Sequence, residues 1–112
     1  MKNRLITVRK EIIICLVLVV CSCTVPEKII PKSHVVEIRS MQFQPAELLV
    51  QKGDTVVFVN KDLFVHDVTE GKTKAWTSTP LSTDQSYRMV VNESADYYCS
   101  IHPVMKGKLV VQ

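Results

Sequence analysis

Cys99, His102 and Met105 share one short run, Cys99-Ser100-Ile101-His102-Pro103-Val104-Met105, so a thiolate, an imidazole and a thioether sit on a single loop at spacing Cys-x2-His-x2-Met. That donor set suits copper, since Cu(I) prefers soft sulfur and Cu(II) prefers nitrogen. A second imidazole is available upstream, at His66 in Asn60-Lys61-Asp62-Leu63-Phe64-Val65-His66-Asp67-Val68. Two His, one Cys and a weak Met form the ligand list of a blue-copper electron-transfer centre, and the chemistry they imply is one-electron transfer.

The elements that must position these residues begin well inside the chain. Lys2, Arg4, Arg9 and Lys10 precede an apolar run from Ile12 to Cys21 that reads as a secretory signal. The run is shorter than the roughly 20 apolar residues that span a bilayer. It ends in Val20-Cys21-Ser22-Cys23, where a small residue precedes Cys23 as in a bacterial lipobox. Residues 1–22 are therefore expected to be a lipoprotein signal peptide, with Cys23 the acylated first residue of the mature protein. Thr24 follows it, and Asp at that place would favour the inner membrane, so an outer-membrane location is expected in a two-membrane envelope.

Removing residues 1–22 takes four of the 14 Lys and Arg and one of the 11 Asp and Glu, leaving ten of each. The mature chain is formally neutral, and no basic stripe with interleaved aromatics suggests a nucleic-acid surface. Cys15 and Cys21 leave with the signal and Cys23 carries lipid, so Cys99 stands alone in an exported domain. An unpaired cysteine in an oxidising compartment is a liability unless buried or ligated. His102 and Met105 beside it point to ligation.

Residues 23–34 contain Pro26, Pro31 and two Lys without a sustained period, and read as the lipidated Cys and a tether. His34, at its end, is read as solvated. From 35 to 112 the chain is rich in β-branched residues. Strands are expected at Val35–Met41, Glu47–Gln51 and Thr55–Asn60, with Lys52-Gly53-Asp54 turning the last two into neighbours. A short strand follows His66 near Asp67–Thr69, and residues 70–84 form an irregular connection. Further strands are expected at Gln85–Val91, Asp96–Cys99 and Gly107–Val111. No helical period appears after the signal. This pattern predicts an all-β fold, a Greek-key β-sandwich or barrel of roughly seven or eight strands. Alternation puts Tyr97 and Cys99 on one face, and Phe43, Phe58 and Leu109 in the core. Tyr97 reads equally as a tyrosine corner or a plain core tyrosine.

From about Phe43 to Val111 the chain resembles the cupredoxins, in particular their amicyanin and plastocyanin branch. The matching pieces are Phe43-Gln44-Pro45, Val50 to Val56, Val59 to Asp62, His66-Asp67-Val68 and Tyr97 to Gly107. The resemblance implies a cupredoxin-like domain holding one type 1 copper, with His66, Cys99 and His102 as strong ligands and Met105 as the long axial one. It implies an electron port at the apolar edge formed by His102, Pro103 and Val104.

Three neighbours of the ligands are of interest. Asp67 stands where relatives commonly carry Asn; its N–H can donate to the Cys99 sulfur and its side chain can accept from the Ser100 hydroxyl. Ile101 stands where many relatives have Pro, so an extra N–H is available to the sulfur. The function expected is that of a monomeric, membrane-tethered electron carrier in the bacterial cell envelope, on the periplasmic side. It would exchange with redox proteins such as a cytochrome, dehydrogenase or oxidase, and would not itself be an enzyme. The alternative is an extracytoplasmic copper buffer or delivery protein.

Overall fold

The computed structural model describes residues 19–112. The basic residues at the start, Cys15 and the apolar run through Leu18 lie outside the described residues. Residues 19–32 carry no strand or helix, and Cys21 and Cys23 are exposed. Eight strands follow: β1 Ser33–Arg39, β2 Gln42–Gln44, β3 Glu47–Val50, β4 Thr55–Asn60, β5 Thr69–Glu70, β6 Ser86–Val90, β7 Ala95–Tyr98 and β8 Lys106–Val111. They form two four-stranded sheets, ordered β2-β1-β4-β6 and β3-β8-β7-β5. The all-β sandwich expected from the sequence is the observed architecture.

Strand alternation builds the core between the sheets. Val36 and Ile38 of β1, Val56 and Phe58 of β4, Tyr97 of β7 and Leu109 of β8 are all buried, while their sequence neighbours are not. Tyr97 packs edge-on against Phe43 and Phe58, with ring centroids 4.8 and 5.2 Å away. Such pairs add to simple area burial. The Tyr97 ring also lies across Gly107, where a Cβ would sit 2.2 Å from it, so no larger residue fits opposite it. The Tyr97 hydroxyl is buried without a hydrogen-bond partner, which makes it a core tyrosine and not a tyrosine corner. Burial pushes its phenol well above the ordinary range.

Two expectations about local structure are corrected. Glu47–Gln51 and Thr55–Asn60 are not sheet neighbours: β3 pairs in parallel with β8, and β4 pairs in parallel with β1. The Lys52-Gly53-Asp54 turn instead crosses from one sheet to the other. Gly53 has φ 92°, which a side chain resists, and its N–H donates to Val91 O at 2.8 Å. Asp54 fastens the crossing by accepting from the Lys32 and Gln51 N–H groups at 2.9 and 3.0 Å.

Secondly, the first expected strand, Val35–Met41, ends at Arg39, and a strand that was not expected follows it at Gln42–Gln44. β1 turns through Ser40 and Met41 (φ 50° and 59°) into β2, antiparallel to it. Such a turn requires both central residues left-handed and normally advertises itself with Asn or Gly. Here the signal is missing because support comes from afar, as the Asp62 carboxylate accepts both the Ser40 and Met41 N–H groups at 2.7 and 2.9 Å.

Candidate metal centre

Two loops at one end of the sandwich carry the donors. The first leaves β4 through Asn60, which is buried and ties the loop back on itself. Its Nδ2 donates to Phe64 O and Leu81 O, each at 2.8 Å, and its Oδ1 accepts from the Asp62 N–H at 2.9 Å. His66 follows and bridges Leu81 through a pair of backbone hydrogen bonds.

The second loop leaves β7 at Cys99 and enters β8 after Met105. Cys99 N–H donates to Met105 O at 3.1 Å, His102 N–H to Cys99 O at 3.2 Å and Met105 N–H to His102 O at 2.9 Å, so the run from Cys99 to Met105 closes into a compact turn. The expected spacing thus serves geometry as well as donor count.

His66, Cys99 and His102 converge. Cys99 Sγ lies 3.7 Å from His66 Nδ1 and 3.8 Å from His102 Nδ1, and the two Nδ1 atoms are 3.2 Å apart. One ion could span a triangle with these edges through bonds of about 2.0 Å to nitrogen and about 2.3 Å to sulfur. The donor set therefore fits a d-block metal with one thiolate and two imidazoles, and that set selects copper. His66 and Cys99 are fully buried and His102 is half-buried. Met105 is buried in the adjoining core.

Two carboxylates orient this set. Asp62 Oδ2 lies 3.0 Å from His66 Nε2, so the ring proton is held on Nε2 and Nδ1 presents its lone pair inward. Burial pushes the Asp62 carboxyl up, but the Met41 N–H, His66 and the Ser40 N–H outweigh it and hold it below the ordinary range. Asp67 joins the two loops. Its N–H donates to Cys99 Sγ at 3.4 Å, its Oδ1 accepts from the Ser100 N–H at 2.7 Å, and its Oδ2 pairs with the Ser100 hydroxyl. Thr69 Oγ1 also donates to Asp67 Oδ1, at 3.1 Å.

Pro103 and Val104 are exposed beside His102, and Val104 is 88% exposed. The Ile101 amide makes no hydrogen bond to Cys99 Sγ; among the described residues the backbone donor to that sulfur is Asp67. Both Ser100 donors are drawn to Asp67, which anchors the loop on that side and leaves the Ile101 amide unbonded to sulfur.

His34 also departs from the reading as a solvated residue. It lies in β1, and its Nε2 is 2.8 Å from Asp54 Oδ2. Asp62 is the residue that sequence reasoning missed. Its signal is a carboxylate four residues before a candidate imidazole ligand, which is too common to single out without the fold.

Comparison with known proteins agrees with this geometry. Residues 32–112 match the family described as copper binding proteins, plastocyanin/azurin family. The amicyanin of Paracoccus versutus is 34% identical over 84 residues, covering 70% of this chain and 64% of that protein, so the chain spans under two thirds of that relative's length. The crystal structure of Paracoccus versutus amicyanin superposes with a TM-score of 0.63 at 30% identity, covering 71% of this chain and 81% of that one. A copper-containing nitrite reductase from Thermus scotoductus SA-01 superposes with a TM-score of 0.64 at 29% identity, over 74% of this chain and 22% of that one. The chain belongs to the plastocyanin/azurin family of copper binding proteins, as a cupredoxin of the amicyanin-like kind whose cofactor is one type 1 copper.

Proposed function

We propose that the protein is a membrane-tethered electron carrier of the bacterial envelope, with His66 Nδ1, Cys99 Sγ and His102 Nδ1 as strong copper ligands and Met105 as the weak axial one. When bound, the copper supplies a one-electron couple. The observation that carries this reading is the convergence of three donors within 3.2–3.8 Å, two of them fully buried and the third half-buried.

A set already positioned by strands and by Asp62 and Asp67 needs little rearrangement between oxidation states, which is what fast exchange requires. His102 is the edge through which electrons enter and leave, and exposed Pro103 and Val104 give it an apolar rim that a redox protein can cover and dry. A cytochrome, dehydrogenase or oxidase meets that description. Closure of Cys99 and His66 from solvent favours retaining the metal over handing it on. His34, the remaining imidazole, is bonded to Asp54, which supports a carrier over an enzyme with a second copper centre.

Exposure of Cys23 at the head of a stretch without strand or helix supports a lipid anchor there, the domain standing off on the tether. At about 3.3 Å per residue, residues 24–32, which precede β1, would extend up to roughly 30 Å.

The test is the visible absorption of the copper-loaded protein. An intense thiolate-to-Cu(II) band is expected, and Cys99→Ser should abolish it while the strand signature of the far-UV spectrum persists. A band surviving in that variant would overturn the ligand assignment. Cys23→Ser should block lipid labelling of the full-length product.

A further inference from the structure

We propose that the anchored protein carries its copper end away from its own membrane, so that the partner meeting the electron port is a protein standing out in the envelope space and not a surface level with the anchoring lipid. The inference rests on the membrane-tethered carrier reading and adds to it the side from which the partner approaches.

The sheet topology puts tether and port at opposite ends of the domain. β1 and β4 run in parallel, and both point from the tether toward the copper site. At their start the Thr55 N–H donates to Lys32 O at 2.8 Å. Asp54 accepts from the Lys32 N–H at 2.9 Å, and its other oxygen lies 2.8 Å from His34 Nε2, so the chain is gripped from Lys32 onward. At their far end Asn60 ties down the loop that carries His66, and the Ser40 N–H, just past β1, donates to Asp62 of that loop. The 7 residues of β1 separate the two ends by about 23 Å, at about 3.3 Å per residue.

The free tether is too short to undo that separation. Between Cys23 and Lys32 lie residues 24–31, which span about 16 Å as a coil and about 26 Å at full extension. Turning the port onto its own membrane inverts the domain and needs that stretch drawn out alongside it almost to its limit. A linker that cannot span two sites leaves their effective concentration near zero.

The apolar side chains at the port pull the other way. Leu63, Phe64 and Val104 are 92, 62 and 88% exposed, and a lipid surface would take them. It would also have to take the Lys61–Asp84 ion pair at the same end, where Lys61 directly follows β4, and removing charges from water is costly. A protein partner covers the apolar loops and leaves that pair at a solvated rim.

The experiment uses the full-length lipidated protein in phosphatidylglycerol–phosphatidylcholine nanodiscs. With a gadolinium-chelate lipid in the bilayer and no copper bound, nitrogen-15 amide signals should broaden most for Lys52, Gly53 and Glu93 and least for Leu63, Ile101 and Val104. With Cu(I) bound, one electron passes from copper to a ferrocenium-labelled lipid in the same bilayer, leaving Cu(II) and ferrocene. About 20 Gly and Ser residues inserted after Ile30 raise the coil span to about 30 Å, past the length of β1, so this rate constant should rise at least about tenfold. The rate constant with dissolved hexacyanoferrate(III), which becomes hexacyanoferrate(II), should not change.

Broadening centred on Leu63, Phe64 and Val104, or a lipid-probe rate that the longer tether leaves unaltered, overturns the proposal. A protein that does not enter the discs breaks the tether reading and the proposal with it. A colourless protein that keeps the broadening gradient breaks the carrier reading and leaves the orientation standing. A coloured, anchored protein without the gradient breaks the orientation alone.

Discussion

The molecule contains the same chemical pair twice. At the copper end Asp62 faces His66 across 3.0 Å, and where the tether joins the domain Asp54 faces His34 across 2.8 Å. In both, the carboxylate also accepts two backbone N–H groups: Ser40 and Met41 for Asp62, Lys32 and Gln51 for Asp54. The difference lies in where the imidazole's other nitrogen points. His66 is fully buried, and its Nδ1 meets a thiolate and a second imidazole, so the carboxylate there orients a candidate metal donor. The His34 side chain is 24% exposed, and its carboxylate partner closes the chain where it enters the sandwich. An Asp–His contact thus has no fixed meaning; its surroundings assign it to chemistry or to architecture.

Removing each carboxylate in turn should separate the two roles. Asp54→Ala should produce the larger effect on the molecule as a whole, because a buried acceptor of two backbone N–H groups is lost where the chain crosses between sheets. Thermal unfolding should show a clear fall in Tm, and the copper absorption band should be unchanged. A shift of that band would mean the two ends are coupled.

The same carboxylate carries a pH signature. The Lys32 N–H first, then His34 and the Gln51 N–H, hold Asp54 down from its ordinary 3.8 to about 2. A depressed carboxylate stabilises the fold fully above its unfolded value and loses that contribution as pH falls through the folded one. Acid titration of stability should therefore steepen from about pH 4 toward about pH 2. Asp54→Asn should flatten that limb, and an unaltered limb would assign it to another group.

Asp62→Asn should do the reverse, acting on the metal more than on the fold. Losing the partner of a metal-ligating imidazole typically costs about 10–100-fold in metal affinity. The carboxylate makes His66 a stronger donor, which favours Cu(II), so its loss should raise the reduction potential. If the affinity loss falls on Cu(II) alone, each tenfold corresponds to about 59 mV. Voltammetry showing an unchanged or lowered potential would place Asp62 with Asp54 as architecture.

Ile101→Pro should have the smallest effect. Ile101 is 47% exposed, and its amide makes no hydrogen bond to the Cys99 sulfur. The potential should move by less than about 10 mV, well below the roughly 59 mV of a tenfold change. A drop of on the order of 40 mV, the size of a lost hydrogen bond worth about 1 kcal/mol, would show that this amide does reach the sulfur.

The convergence of His66, Cys99 and His102 was legible in the sequence because its information is local. Cys99 and His102 are bound by spacing on one loop, and His66 is the imidazole left in a β-rich stretch once His34 is set aside. Strand alternation likewise placed Tyr97 and Cys99 on one buried face, and Phe43, Phe58 and Leu109 in the core. The expected bond between Asp67 and Ser100 also rests on short-range reasoning, once the two ligand segments are known to meet.

What only the tertiary structure decided depends on which strands pair across long separations. Periodicity says that β3 and β4 are strands; it does not say that the turn between them crosses the sandwich, because parallel partners β8 and β1 compete for those edges. The Ser40–Met41 turn depends on Asp62, which lies 22 residues beyond Ser40 in sequence, so the turn segment does not carry the signal alone. Charge follows the same rule. Summed along residues 23–112 it vanishes, and only the pairing of β8 with both β7 and β3 sets Lys108 beside Asp96 and Glu47. Composition adds charges without regard to place, whereas folding puts them at distances where their fields combine.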